Sequence, residues 1–186
     1  CPPEVVDQLA ELARTDPDDE VRQFAVEAVA KQDGDPAVAR DLLESDDDQW
    51  VRAEATVALD RLDRPAHEDY FEQLLDDDAA GVRRNALISL TRIRGEDARG
   101  DLLAAVEDAD DRVREWATKL LGTVDDDPTV EAALKEVVED EDEVDVVKQT
   151  AARALGARGE NVDEVVETAT GTETAGDHML NQVPDN

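Results

Sequence analysis

The chain has 186 residues and sets 50 acids against 19 bases, for a net charge of −31. No apolar run approaches the ~18–20 residues that span a bilayer, and the single cysteine, Cys1, excludes an internal disulfide or a cysteine-based metal cluster. So acidic a surface also excludes nucleic acid as a partner, because gripping a phosphate backbone takes a basic face.

Residue 1 is cysteine rather than methionine, so the true N-terminus is expected to have been trimmed or to lie upstream, and a targeting segment there stays open. The first predicted helix, PPEVVDQLAELAR (2–14), is followed by DDEVRQFAVEAV (18–29), and the second of these stretches comes back four times. It returns as DDQWVRAEATVAL (47–59), DAAGVRRNALISL (78–90), DADDRVREWATKLL (108–121) and DEVDVVKQTAARAL (142–155). The valine before the cation falls at Val21, Val51, Val82, Val113 and Val147, in steps of 30, 31, 31 and 34 residues. Such a period predicts stacked helical hairpins. Between the copies stand weaker helical patterns, PAVARDLLES, HEDYFEQLLDD, DARGDLLAAVED and PTVEAALKEVVED, with Pro3, Pro36, Pro65 and Pro128 at or near helix starts.

Each unit therefore reads as helix A, an Asp-rich turn, helix B and a short link. The predicted repeats run over about 2–32, 33–62, 63–94, 95–124 and 125–158, with a half repeat at 160–170 that completes a 1–170 domain. Residues 171–186 are polar and aperiodic and are expected to form a flexible tail. Within helix B, Val21, Ala25, Ala28 and Val29 fall on one narrow arc at helical spacing, and the later copies repeat it. A small residue at the fourth position lets a neighbouring helix approach closely. Acids two to five residues before each valine can cap the first turn, each cap contributing ~1 kcal/mol.

These Asp-x-x-Val-Arg-x-x-Ala-x-x-Ala-Leu frames resemble HEAT repeats, in the short variety first associated with phycobilisome lyases, over residues 2 to about 158. The resemblance implies an all-α, right-handed α-α superhelix of five helix pairs plus a terminal helix, with B helices lining the concave face. It also suggests a role for Arg22, Arg52, Arg83, Arg114 and Lys148: each cation reaches the Asp-rich turn of an adjacent unit, making a ladder. A basic stripe gripping an anionic ligand is the alternative. Exposed pairs are worth only ~0–1 kcal/mol each, so the ladder is expected to set register more than stability.

Signs of chemistry are few. No G-x-S-x-G, P-loop, H-E-x-x-H or G-x-G-x-x-G is present. His67 and His178 lie far apart, and His67-Glu68 is the one His-Glu pair, whereas deoxyhypusine hydroxylase, a HEAT-repeat enzyme, uses several to bind two irons. DGDPAVARDLLE and DDDPTVEAALKE fail the calcium-loop pattern, which leaves weak cation association at Asp76, Asp77, Asp78, Asp125, Asp126 and Asp127. No catalytic residue, cofactor or metal site is expected.

What remains is the outward face of the B helices, taken as positions two and six after each valine with position three at its border. There Val57, Arg84, Ile88, Trp116, Lys119 and Arg153 make an apolar and basic set on a strongly acidic chain. Trp and Arg are frequent binding hot spots. The plain alternative is that Trp116 packs between helices and the cations balance acids. Trp50, just before its valine, is expected to pack between repeats. The expected function is a monomeric, cytoplasmic, non-enzymatic scaffold that binds an acidic peptide or acidic protein surface. The alternatives are an accessory domain or relative of HEAT-type lyases or hydroxylases, and a spacer within a longer protein. Thirty Asp against twenty Glu and fifteen Arg against four Lys resemble proteins of salt-in halophiles, whose carboxylate-rich surfaces stay hydrated in concentrated KCl.

Overall fold

The computed structural model describes residues 2–124 and 127–156, and every regular element among them is helical. The order is α1 (Pro3–Thr15), α2 (Asp19–Lys31), α3 (Ala37–Ser45), α4 (Gln49–Asp63), a 3-10 turn (Arg64–His67), α5 (Glu68–Leu74) and α6 (Ala80–Arg94). A second 3-10 turn (Gly95–Ala98) leads to α7 (Arg99–Ala105), α8 (Asp111–Leu121), α9 (Pro128–Glu139) and α10 (Asp145–Gly156). The sequence-predicted half repeat at 160–170 and tail at 171–186 lie outside the described residues.

The helix ends follow from local chemistry. Pro3 and Pro128 open α1 and α9, where a missing N–H leaves nothing unpaired that the helix end would have paired. Asp18 accepts the N–H groups of Glu20 and Val21, and Asp48 those of Trp50 and Val51. Asp110 and Asp127 do the same for Arg112 and Thr129. At the exit of α2, Asp33 takes a left-handed φ of 51°, which turns Gly34 N–H onto the Val29 carbonyl at 3.0 Å. A Cβ on Gly34 would come within 2.6 Å of a Val29 methyl and 3.2 Å of one on Val6, so glycine lets the turn close against α1.

The described chain divides into two compact units, the first reaching Ala86 and the second starting at Leu87. In the first, α1 packs on α2 and α3 on α4, and the two pairs stack through α2 against α4 and α1 against α3. Val26, Val29, Leu42, Val51, Leu59 and Phe71 are buried at its centre. In the second, α7 packs on α8 and α9 on α10, with α8 against α10. Leu102, Val113, Leu120, Leu121, Leu134 and Val147 fill its core. The small fourth-position residues do the close work: Ala25, Ala55, Ala86, Ala117 and Ala151 are all buried. A Cβ at Gly122 would stand 3.2 Å from that of Ala154, so α8 and α10 approach there almost backbone to backbone.

Burial in the B helices is wider than the narrow arc predicts. Positions two and three were expected to face outward or to border the core, yet Gln23, Ala53, Glu54, Asn85 and Thr150 are buried. The reason lies in the stacking. In the first unit α4 meets α2 on one side and α3 on another, so only a thin strip of it stays open. Several of the buried polar groups are paired: Thr56 and Thr118 hydroxyls donate to the carbonyls of Arg52 and Arg114, and Asn85 Nδ2 donates to Ala53 O at 2.9 Å. The first copy departs the other way, for Val21 is 37% exposed while Val51, Val82, Val113 and Val147 are buried.

Candidate functional site

Two sets of residues carry the functional question: the cations that follow each B-helix valine, and the side chains on the open strip. The cations start from an Asp-rich turn built the same way several times. Asp16, Asp46, Asp77 and Asp108 stand five residues before a valine, and each side chain accepts the N–H two residues on. The arginine one residue after that valine bends back and donates Nη1 to the carbonyl of the same aspartate, at 3.0 Å for Arg22, 3.1 Å for Arg52, 2.9 Å for Arg83 and 2.8 Å for Arg114. That contact aims the rest of the guanidinium along the stack. Arg22 then places Nε and Nη2 on the two carboxylate oxygens of Asp46, at 2.7 and 2.9 Å. Arg52 reaches Asp77 at 3.2 Å and also Asp78. Arg114 grips Glu143 with two bonds of 2.7 and 2.8 Å. Lys148, the fifth cation, is half-buried on α10 near Glu143.

These pairs are not the exposed kind on which a low energy was expected. Side-chain exposure is 17% and 5% for Arg22 and Asp46, and 19% and 7% for Arg114 and Glu143. The fork geometry strengthens the attraction, and removing one partner would strand a half-buried charge. The Arg114 bond, helped by the Val144 N–H and opposed by burial, holds the Glu143 carboxyl below the usual carboxylate range. The bond to Asp46 raises the Arg22 guanidinium correspondingly. With both forks engaged by carboxylates, a basic stripe open to an anionic ligand does not form at Arg22 or Arg114.

The second set falls into two groups by unit. In the first, Val57 is 43% exposed on α4, and Arg84 is half-buried with its guanidinium 3.2 Å from Asn85 Oδ1. In the second, Ile88 is half-buried on α6, and Trp116 and Lys119 are half-buried three residues apart on α8. Lys119 Nζ sits 4.6 Å from the Trp116 ring centroid, a cation–π contact made on one face of one helix. Arg153 is exposed on α10, the helix packed against α8.

His67 closes the first 3-10 turn, just ahead of α5. Burial, with Arg40 nearby, lowers its pKa, and its buried Nε2 has no hydrogen-bond partner among the described residues. Among the described residues no three His, Cys, Asp or Glu side chains gather so as to hold a metal ion. Asp77 and Asp78 are taken up by Arg52, Asp127 caps α9 and pairs with Arg99, and Asp125, Asp126 and His178 lie outside the described residues.

A family model of HEAT repeats matches residues 1–60, 36–122 and 100–175. The chain belongs to the HEAT-repeat family. No match is found among curated proteins. As a HEAT-repeat protein it is of a kind that commonly serves as a protein-interaction scaffold, and no helix among its described residues is long and apolar enough to cross a membrane. Sequence reasoning missed two features of this HEAT unit. The first is the double duty of Arg22, Arg52 and Arg114, each bonding its own turn's carbonyl as well as the next turn's acid; only the fixed spacing between the aspartate and the cation hints at it. The second is the docking of Asn85 onto the α4 backbone, which no residue pattern announces.

Proposed function

We propose that this HEAT-repeat protein is a non-enzymatic scaffold that binds an acidic peptide or an acidic protein surface, and that its second unit carries the contact. The observation that supports this is the Trp116–Lys119 pair, an aromatic face and a cation held together by i, i+3 spacing on α8. Ile88 adds apolar surface, and Arg153 adds an exposed cation with no ion pair among the described residues. On a chain of net charge −31, cations left at an open face are uncommon, and an acidic ligand is what they would select. Val57 and Arg84 are proposed as a separate, weaker contact on the first unit. The acid-rich remainder of the surface is proposed as an adaptation to concentrated cytoplasmic salt, with the chain acting as a monomer.

Trp116 supplies the test. In a Trp50→Phe background it is the only indole, so its emission reports on that face alone. Titration with a peptide of Glu and Leu residues is expected to give a saturable change in emission. Lys119→Glu should weaken the apparent affinity at least tenfold, or about 1.4 kcal/mol. An unchanged titration in Lys119→Glu, or no response in the parent, removes the proposed site.

A further inference from the structure

The outer face of the first helical pair carries a surface that the second pair buries. With Val21 set against Val51, Leu12 corresponds to Leu42 and Asp16 to Asp46. Leu42 and Val51 are 2% and 0% exposed, because α1 and α2 lie over their pair. Leu12 and Val21 are 41% and 37% exposed, and Val5 on the same helix as Leu12 is 39% exposed. A repeat that closes the end of a stack needs a polar outer face, and this one leaves Val5, Leu12 and Val21 open to solvent.

Asp16 makes the parallel closer. Its side chain accepts the Asp18 N–H at 3.0 Å, as Asp46 accepts that of Asp48 at 3.0 Å. Its carbonyl receives Arg22 Nη1 just as the Asp46 carbonyl receives Arg52. Asp46 additionally holds the fork of Arg22, the cation of the preceding pair. Among the described residues Asp16 has the same turn, but no cation pairs with its carboxylate. We infer that the outer face of α1 and α2 receives a further helical pair of the same repeat type, which lays aliphatic side chains on Leu12 and Val21 and delivers an arginine to Asp16. Register equivalence with the α1–α2/α3–α4 interface and the charge of Asp16 select this occupant. A second copy meeting this face through its own α1–α2 face is disfavoured, since its Arg22 is already held by its own Asp46 and cannot be delivered to Asp16.

The probe is the chain's own repeat. A second copy of residues 3–36 is fused ahead of Pro3 in the full chain, in molar KCl, and Leu12→Cys in a Cys1→Ser background reports on the face by thiol alkylation. The added pair should fold, raising helicity in proportion. It should slow alkylation at position 12 at least about tenfold and raise the thermal midpoint by about 3–6 °C. Asp16→Asn should leave the unfused chain unchanged and cancel a good part of the gain in the fusion. An added copy that stays unfolded, or alkylation as fast as in the unfused chain, overturns the inference. Alkylation that already slows with protein concentration in the unfused chain, alongside dimers in sedimentation, would make the occupant a second copy and overturn it as well.

Discussion

Asp46→Ala is expected to destabilise the first unit by about 2–4 kcal/mol, read as a drop in the urea midpoint at molar KCl. The Asp46 side chain takes both arms of the Arg22 fork and the Asp48 N–H, and it is only 5% exposed. Removing it leaves the Arg22 guanidinium half-buried with the Asp16 carbonyl alone, and it frees the turn that aims Asp48 at the start of α4. The neighbouring pair Arg14–Asp41 gives the contrast. It joins the same two helical pairs at 2.7 Å, but its side chains are 34% and 51% exposed. Asp41→Ala should therefore cost no more than about 1 kcal/mol. Arg22→Leu combined with Asp46→Asn should be milder than Asp46→Ala, because no charge is then stranded. Equal effects for Asp46→Ala and Asp41→Ala would show that the fork contributes no more than an ordinary surface pair.

The second large effect is set by the solvent. Helicity by circular dichroism is expected to be low in dilute buffer and to climb towards molar KCl. Fifty carboxylates against nineteen cations repel one another across a chain whose core is built mostly of Val, Ala and Leu. At ~1 M salt the Debye length falls to ~3 Å and that repulsion is screened. The paired forks lose less, being partly withdrawn from solvent. A neutral osmolyte at matched water activity should restore only part of the helicity, since it strengthens burial without screening charge. Full cooperative folding at about 50 mM salt would remove the salt-adaptation proposal.

Much of the fold was legible in the sequence because its signal is repetition. Five valine–cation–alanine frames at steps of 30 to 34 residues fix the B helices, and the aspartates before them mark the caps at Asp18, Asp48 and Asp110. Side-chain periodicity fails where a helix is covered on more than one side. Gln23 and Ala53 fall on the face that a single arc predicts as open and Asn85 at its border, yet α2 and α4 are wedged among neighbours, and Asn85 enters by bonding a backbone carbonyl. Pattern also says nothing about ends, so Val21 reads like the other valines while standing exposed. Of the side chains on the open strip, only the Trp116–Lys119 contact follows from spacing; the bond between Arg84 and Asn85 depends on rotamers.

The central claim, that the chain works by holding an acidic protein partner on its second unit, is tested most directly by affinity capture at near-molar KCl. The source organism's extract is passed over the native chain and over a Trp116→Ala, Lys119→Glu variant of matched helicity, and the bound proteins are identified by mass spectrometry. The account predicts an acidic protein retained by the native chain and lost from the folded variant. A partner held equally by both, or none held by either, would contradict it.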